Sequence, residues 1–264
     1  MSYLFLSCTE MDFNKKFKDQ VALITGAGSG LGSALAFALG KQGAKLILGD
    51  VNQIALQKVV ADLTALDIQV AFNVCDVSQN TDQVALVQLA LDTWGRLDIA
   101  VNNAGICPPM RSFHEILEAD FDFAMNVNTK GVFLGMKHQL SAMVKSELSG
   151  VILNVSSVAG LGAAPKLASY SASKHAVIGL TKTAAVEYAK KNIRINAICP
   201  FYTQTPLVTE SQLFDKIEFL NNSSPMKRLA MTDEIIDVML MLCSPQNTYM
   251  TGQAIAVDGG VTAL

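Results

Sequence analysis

Charge is scarce in this chain: Asp, Glu, Lys and Arg make up 16% of its 264 residues, whereas hydrophobic residues make up 50%. That balance excludes disorder and is expected where parallel strands are buried on both faces. No Lys/Arg cluster occurs and the formal net charge is only -3, so the chain has no electrostatic footprint for nucleic acid or for an anionic membrane surface. Small-molecule partners are favoured. The five cysteines, Cys8, Cys75, Cys107, Cys199 and Cys243, are odd in number, scattered and never in a CxxC pair. They signal neither a disulfide framework nor a zinc site, and they fit a reducing, cytoplasmic location. Also missing are a GxSxG elbow and a GxxxxGK[ST] loop, which removes the commonest hydrolase and NTPase readings. Without a Pro/Gly/Ser-rich linker, a low-complexity tract or a repeat, residues 19–264 read as one domain behind an N-terminal extension of residues 1–18.

Twenty residues without charge, Val21 to Gly40, superficially suit a membrane helix with a GxxxG face. Five glycines in that run instead describe a strand (Val21 to Thr25), a turn and a helix from Leu31 onward. The extension has a short apolar run, Tyr3 to Leu6, but no basic n-region and no cleavage site. Met11 is an alternative start, because the residues after it lead directly into the first strand.

Strand and helix then alternate. Lys45 to Asp50, Gln69 to Val74, Ile99 to Asn102, Val151 to Val155, Arg194 to Ile198 and Ala254 to Val257 are further short apolar runs. Helical periodicity separates them, over Ile54 to Leu66 and Thr81 to Trp94 among others. The pattern predicts an α/β fold: a doubly wound parallel sheet of about seven strands with helices on both faces. From Pro200 to about Leu220 the spacing loosens, which suits a lid over a site.

Two constellations carry chemistry. Gly26, Gly28, Gly30 and Gly32 follow a strand and open a helix, the context a phosphate-binding turn requires, and Asp50 ends the next strand where an acid can bond the adenosine ribose hydroxyls. An acid there repels a 2'-phosphate, and no Arg or Lys stands in the turn or just after Asp50, so NAD(H) is preferred over NADP(H). An S-adenosylmethionine-dependent methyltransferase would share these features but has no use for the second constellation. In it, Tyr170 and Lys174 lie four apart on a helix, with Ser157 thirteen residues upstream. Residues at i and i+4 are neighbours, so the ammonium is placed to favour the phenolate. Bringing a phenol from about 10 to neutral pH takes about 4 kcal/mol, within reach of one close cation plus a cationic cofactor.

Together with Asn102-Asn103-Ala104-Gly105 and Val257-Asp258-Gly259-Gly260, these motifs resemble the classical short-chain dehydrogenases/reductases over about residues 18 to 260. The resemblance implies a Rossmann fold, a nicotinamide cofactor and an oxidoreductase acting on a secondary alcohol or ketone. By position it implies that Gly26, Ser29, Gly30, Leu31, Asp50, Asp76 and Val77 bind the cofactor's nucleotide side. Asn103, Ala104, Gly105, Pro200 and Thr205 are implied to complete its site. Tyr170 is implied as general acid/base, Lys174 as tuning it and binding the nicotinamide ribose, Ser157 as holding the substrate oxygen, and Asn128 as positioning a water that links Lys174 to solvent, with no metal required. Spacing selects Asn128 over Asn126 and Ser157 over Ser156, the unused members being left to backbone hydrogen bonding.

One position departs from the family: Phe201 follows Pro200 where glycine is usual. Phe201, Tyr202 and Leu161 are expected at the substrate, with Pro108, Met110, Lys166 and Leu207 as further lining and Ile106 and Val155 near the nicotinamide. The mostly apolar set suggests a substrate without a required strong charge, although Lys166 suits a carboxylate. The alternatives are a catalytically silent NAD-binding regulatory protein and a 3-oxoacyl-thioester reductase using NADPH. The resemblance also implies a homotetramer or homodimer built partly on the Tyr170 helix, whose Ala172, Ala176, Ile178, Leu180 and Ala184 exceed what one core face needs.

Overall fold

A strand covered on both faces needs apolar side chains at successive positions, and the short runs of this sequence assemble on that basis. The computed structural model describes residues 15–209 and 217–264. Its strands are β1 (Val21–Thr25), β2 (Lys45–Asp50), β3 (Val70–Val74), β4 (Ile99–Asn102), β5 (Gly150–Val155), β6 (Ile193–Pro200) and β7 (Ala254–Val257). They form one seven-stranded parallel sheet in the order β3-β2-β1-β4-β5-β6-β7. The helices are α1 (Gly30–Lys41), α2 (Gln53–Thr64), α3 (Asn80–Trp94), α4 (Glu118–Ala124), α5 (Gly131–Ser146), α6 (Ala168–Tyr188), α7 (Pro206–Thr209), α8 (Ile217–Ser223) and α9 (Thr232–Cys243). This is the doubly wound Rossmann-type fold that the alternation predicts.

Side chains alternate across each strand, so β1 feeds two cores. Ala22 and Ile24 pack with Leu35, Leu39, Leu56 and Ile235 under α1, α2 and α9. Val21 and Leu23 pack with Leu86, Met136 and Val177 under α3, α5 and α6. Phe17, inside the expected extension, is 1% exposed and belongs to the first core, so the folded unit begins before residue 19. Tyr3 to Leu6, Met11 and residues 210–216 of the expected lid lie outside the described residues. Among the described residues no helix is long and apolar enough to cross a membrane.

A buried run of amides fixes the helices that carry the site. Asn102 on β4 donates to Gln139 on α5 at 3.0 Å and to Asn154 on β5 at 2.8 Å, and Asn154 donates to Thr181 on α6 at 2.9 Å. Each member is satisfied, so the network ties α5 and α6 to the sheet without leaving an unpaired buried dipole. The strand order reverses direction between β1 and β4, and in open sheets of this kind the crevice beyond the carboxyl ends of the strands at that point is where ligands bind.

Candidate active site

A cleft of about 1250 Å3 opens at this switch point. At its floor the β1–α1 turn admits little but glycine. Gly26 has φ +63°, and a Cβ there would lie 2.8 Å from the Ala104 Cα; a Cβ on Gly32 would collide with the Gly26 carbonyl oxygen. Asn103, beyond β4, locks the turn by donating from Nδ2 to the Thr25 and Gly26 carbonyls at 2.9 and 3.1 Å. The result is a cradle of bare backbone at the N-terminus of α1, which fits a dinucleotide pyrophosphate.

Asp50 closes the far end of the cradle. Its Oδ2 accepts from Gly28 N and its Oδ1 from Asn52 N, both at 2.8 Å, which holds the carboxylate in one orientation with lone pairs to spare. Asp76 is similarly held, its Oδ1 accepting from Ser78 N at 2.9 Å and from Ser78 Oγ at 2.8 Å. Burial and the charges of Asp82, Asp76 and Asp50 push the nearby Cys75 thiol up to about 12.

The opposite wall is built from α6 and the short turn Val158–Gly160 after β5, which approach closely because Gly160 has no side chain: a Cβ there would lie 2.7 Å from the Lys174 carbonyl oxygen. Ser157, Tyr170 and Lys174 all line the cleft. Ser157 caps a short turn by accepting from Ala159 N at 3.1 Å, while Ser156 donates to the Lys174 carbonyl at 2.9 Å, the backbone role expected of it. Lys174 donates from Nζ to the Val155 carbonyl at 2.9 Å and lies 5.6 Å from the centre of the Tyr170 ring.

Without a cofactor the surroundings of Tyr170 do not favour its phenolate. Burial raises the Tyr170 pKa, the neighbouring Cys107 raises it further, and only the hydrogen bond with Ser157 opposes them. Lys174 itself is lowered to about 8 by burial. The ammonium points past the phenol to a carbonyl and shares the same desolvated wall, so the protein alone keeps Tyr170 neutral.

Asn128 alone among the expected catalytic residues does not line the cleft. It is fully buried in a π turn (Met125–Lys130) between α4 and α5. Its Oδ1 accepts from Ile106 N at 2.8 Å, and its Nδ2 donates to the Ile106 carbonyl at 2.9 Å and to Ser173 Oγ at 3.0 Å. It still approaches the wall, because a Cβ on Gly105 would meet Asn128 Oδ1 at 3.1 Å and Lys174 Nζ at 3.3 Å. Ser173, which no motif singles out, continues the link by donating to the Tyr170 carbonyl at 2.7 Å. Asn126 is exposed.

All the other expected cofactor residues line the cleft, as do Leu161, Lys166, Phe201, Tyr202, Leu207 and Met110 on the substrate side. Pro108 does not. Phe201 is turned edge-on to Tyr202, with ring centroids 4.7 Å apart. Sequence reasoning missed Cys107, Phe123, Phe219, Val261 and Thr262, which also line it; they come from four separated segments and belong to no motif. Of the α6 residues expected at an interface, Ile178 and Ala184 are 7% and 8% exposed and face the core instead, whereas Ala172 is exposed.

A family model described as "Enoyl-(Acyl carrier protein) reductase" matches residues 26–262. The chain is similar to cyclohexanol dehydrogenase of Acinetobacter sp. (strain SE19), with 38% identity over 254 residues that cover 96% of this chain and 99% of that protein. It is also similar to the 3-oxoacyl-[acyl-carrier-protein] reductase FabG of Thermotoga maritima, 37% identical over 246 residues, 93% of this chain and 99% of that one. Levodione reductase of Leifsonia aquatica is 38% identical over 257 residues, covering 94% and 96% of the two chains. A crystal structure of levodione reductase matches with a TM-score of 0.90 at 38% identity, covering 94% of this chain and 99% of the other.

Proposed function

We propose, on the premise that the chain belongs to the short-chain dehydrogenase/reductase family of oxidoreductases, that it interconverts a secondary alcohol and a ketone using NAD(H). The observation that carries this reading is the meeting of Ser157, Tyr170 and Lys174 on one wall of a cleft whose floor is the glycine cradle. The cradle, Asp50 and Asp76 would hold a nicotinamide cofactor at one end and Lys174 and Thr205 at the other, and such a cofactor would supply the hydride chemistry. The chain's own residues handle the proton. Ser157 holds the substrate oxygen, and Tyr170 gives that oxygen a proton in reduction and removes it in oxidation. A phenol that the protein keeps neutral is ready to donate; acting as a base requires further positive charge beside it. Lys174, close to Asn128 across Gly105, is placed to pass the proton toward solvent.

Three features favour NAD(H): the pinned Asp50, the acidic surroundings of Cys75, and Val51 in place of a basic residue on the lining beside Asp50. Initial rates with NADH and NADPH over a panel of cyclic ketones and a 3-oxoacyl thioester test this. The expected kcat/KM is at least ~10-fold higher with NADH, the size of effect that an unpaired buried charge produces. Better turnover of the thioester with NADPH would support the acyl-reductase alternative, and tight NADH binding without turnover of any compound would support the silent one.

The free thiols of Cys75, Cys107, Cys199 and Cys243 support a reducing, cytoplasmic setting. Exposed apolar groups on α5 and α6, Phe133 at 49% and Val186 at 81%, support a homotetramer or homodimer. Light scattering is expected to give the mass of four or two 28.2 kDa chains, and a monomer at micromolar concentration would contradict it.

A further inference from the structure

Tyr202 brings a second phenol to a cleft whose lining also includes the apolar Met110, Leu161, Leu207 and Phe219. We infer that Tyr202 is a specificity-determining residue that donates a hydrogen bond to a second oxygen of the substrate, so that the compound turned over carries a further carbonyl or hydroxyl group on an uncharged, apolar skeleton. This rests on the alcohol–ketone reading of the site.

Four observations carry it. First, the Tyr202 hydroxyl has no hydrogen-bond partner among the described residues, and a partly buried polar group left so is one that a ligand or water must satisfy. Second, Tyr202 lines the same cleft as Tyr170, Ser157 and Cys107. A substrate whose reacting oxygen lies at Tyr170 shares this cleft with the Tyr202 phenol. Third, the residue is held in place before anything binds. Its carbonyl accepts from Ala230 N at 3.1 Å, Thr203 bridges to Ala230, and the Phe201 ring sits 4.7 Å away at 67°. Phe201 is itself anchored by donating from its N to the Val257 carbonyl at 3.1 Å. The aromatic residue that replaces the family's usual glycine thus acts as a buttress for its neighbour. Fourth, burial raises the Tyr202 pKa, so the group is a neutral donor. It suits a carbonyl or hydroxyl. A carboxylate would need a cation, and the cations near that side, Lys166 and Arg111, are solvent-exposed, with Arg111 3.7 Å from Asp120.

The test compares wild type with Tyr202→Phe and Tyr202→His on cyclohexanone, cyclohexane-1,2-dione and cyclohexane-1,4-dione, with NADH binding and thermal melting measured for each protein. Wild type is expected to prefer at least one dione over the monoketone by ~10-fold or more in kcat/KM. Tyr202→Phe should lose about 10- to 100-fold on that dione and less than ~3-fold on cyclohexanone, because a site built to bond a substrate oxygen discriminates through the group left unpaired. Tyr202→His, which keeps a donor, should retain part of the preference, and it carries the comparison if the Phe variant does not fold. Turnover of all three ketones by wild type without preference, or equal losses on dione and monoketone in the variants, overturns the role of Tyr202 and leaves the proposed reaction standing. Binding of NADH with turnover of none overturns both.

Discussion

Tyr170→Phe is expected to lower kcat by at least ~1000-fold while NADH binding changes by less than ~3-fold, since removing a general acid/base typically costs about 10²- to 10⁴-fold. The substitution deletes one oxygen and leaves the ring, so the ring face that Lys174 approaches at 5.6 Å is preserved. Ser157 keeps its bond from Ala159 N, so the wall does not collapse. A variant that retains more than a few per cent of activity would sink the assignment. The same variant isolates the phenol's titration. Because burial and Cys107 raise the Tyr170 pKa in the protein alone, the difference in tyrosinate absorbance between wild type and Tyr170→Phe should show no ionisation of this residue up to about pH 10, its unperturbed value. Adding NAD+ should bring the transition down. A phenolate already present at neutral pH without cofactor would show that Lys174 suffices, contrary to the geometry.

Lys174→Met should abolish activity to a comparable degree and yet make the cofactor-free protein more stable at pH 7. Burial lowers the Lys174 pKa from 10.5 to about 8. A lowered lysine destabilises the fold wherever it is charged, so the full penalty, on the order of 3 kcal/mol for about 2.5 units, applies below pH 8 and is relieved as pH rises toward 10.5. Replacing the ammonium by an apolar chain of similar length removes that penalty, although the bond to the Val155 carbonyl is lost, leaving a net gain of about 1–3 kcal/mol. The buried thiols work in the opposite direction. Cys107 and Cys199 are raised to about 11, so the unfolded chain releases their protons first and stability falls above their ordinary value of 9.0. Only the difference between wild type and variant isolates Lys174. That difference should be largest near pH 7 and vanish by about pH 10.5; denaturant melts across this range check it, and a variant less stable than wild type at pH 7 would refute it.

Much of the site is legible in the sequence because its residues are held by local, sequence-adjacent devices. The glycine turn comes directly after its strand, Asp50 ends the next strand, and a four-residue spacing puts Tyr170 and Lys174 on one stretch of α6. Interval alone selects Ser157 over Ser156 and Asn128 over Asn126, and in the fold Ser156 bonds the Lys174 carbonyl and Asn126 faces solvent. The features hidden from the sequence depend on contacts between distant segments. No pattern announces a π turn, because the extra residue leaves the hydrophobic period of its neighbours intact, and yet that turn is what carries Asn128 to Ile106. Periodicity also misjudges α6: it makes Ile178 and Ala184 surplus, but this helix has one face on the sheet and another on the α4–α5 junction and uses more apolar positions than a single stripe.

By itself the sequence determined the fold class and the order of the elements, which come from period and spacing within a few turns of chain, and its resemblance to a family offered Ser157, Tyr170 and Lys174 as candidates for handling the proton. Only the tertiary structure decided how those residues behave. It brought Lys174 to a carbonyl and set the half-buried Tyr170 near a thiol, so that desolvation raises the phenol's pKa in the protein without cofactor. It also brought Tyr202, with the Phe201 ring edge-on to it, into the cleft that Tyr170 lines, because strand order and loop packing, which no local pattern encodes, bring residues about thirty positions apart to one cleft.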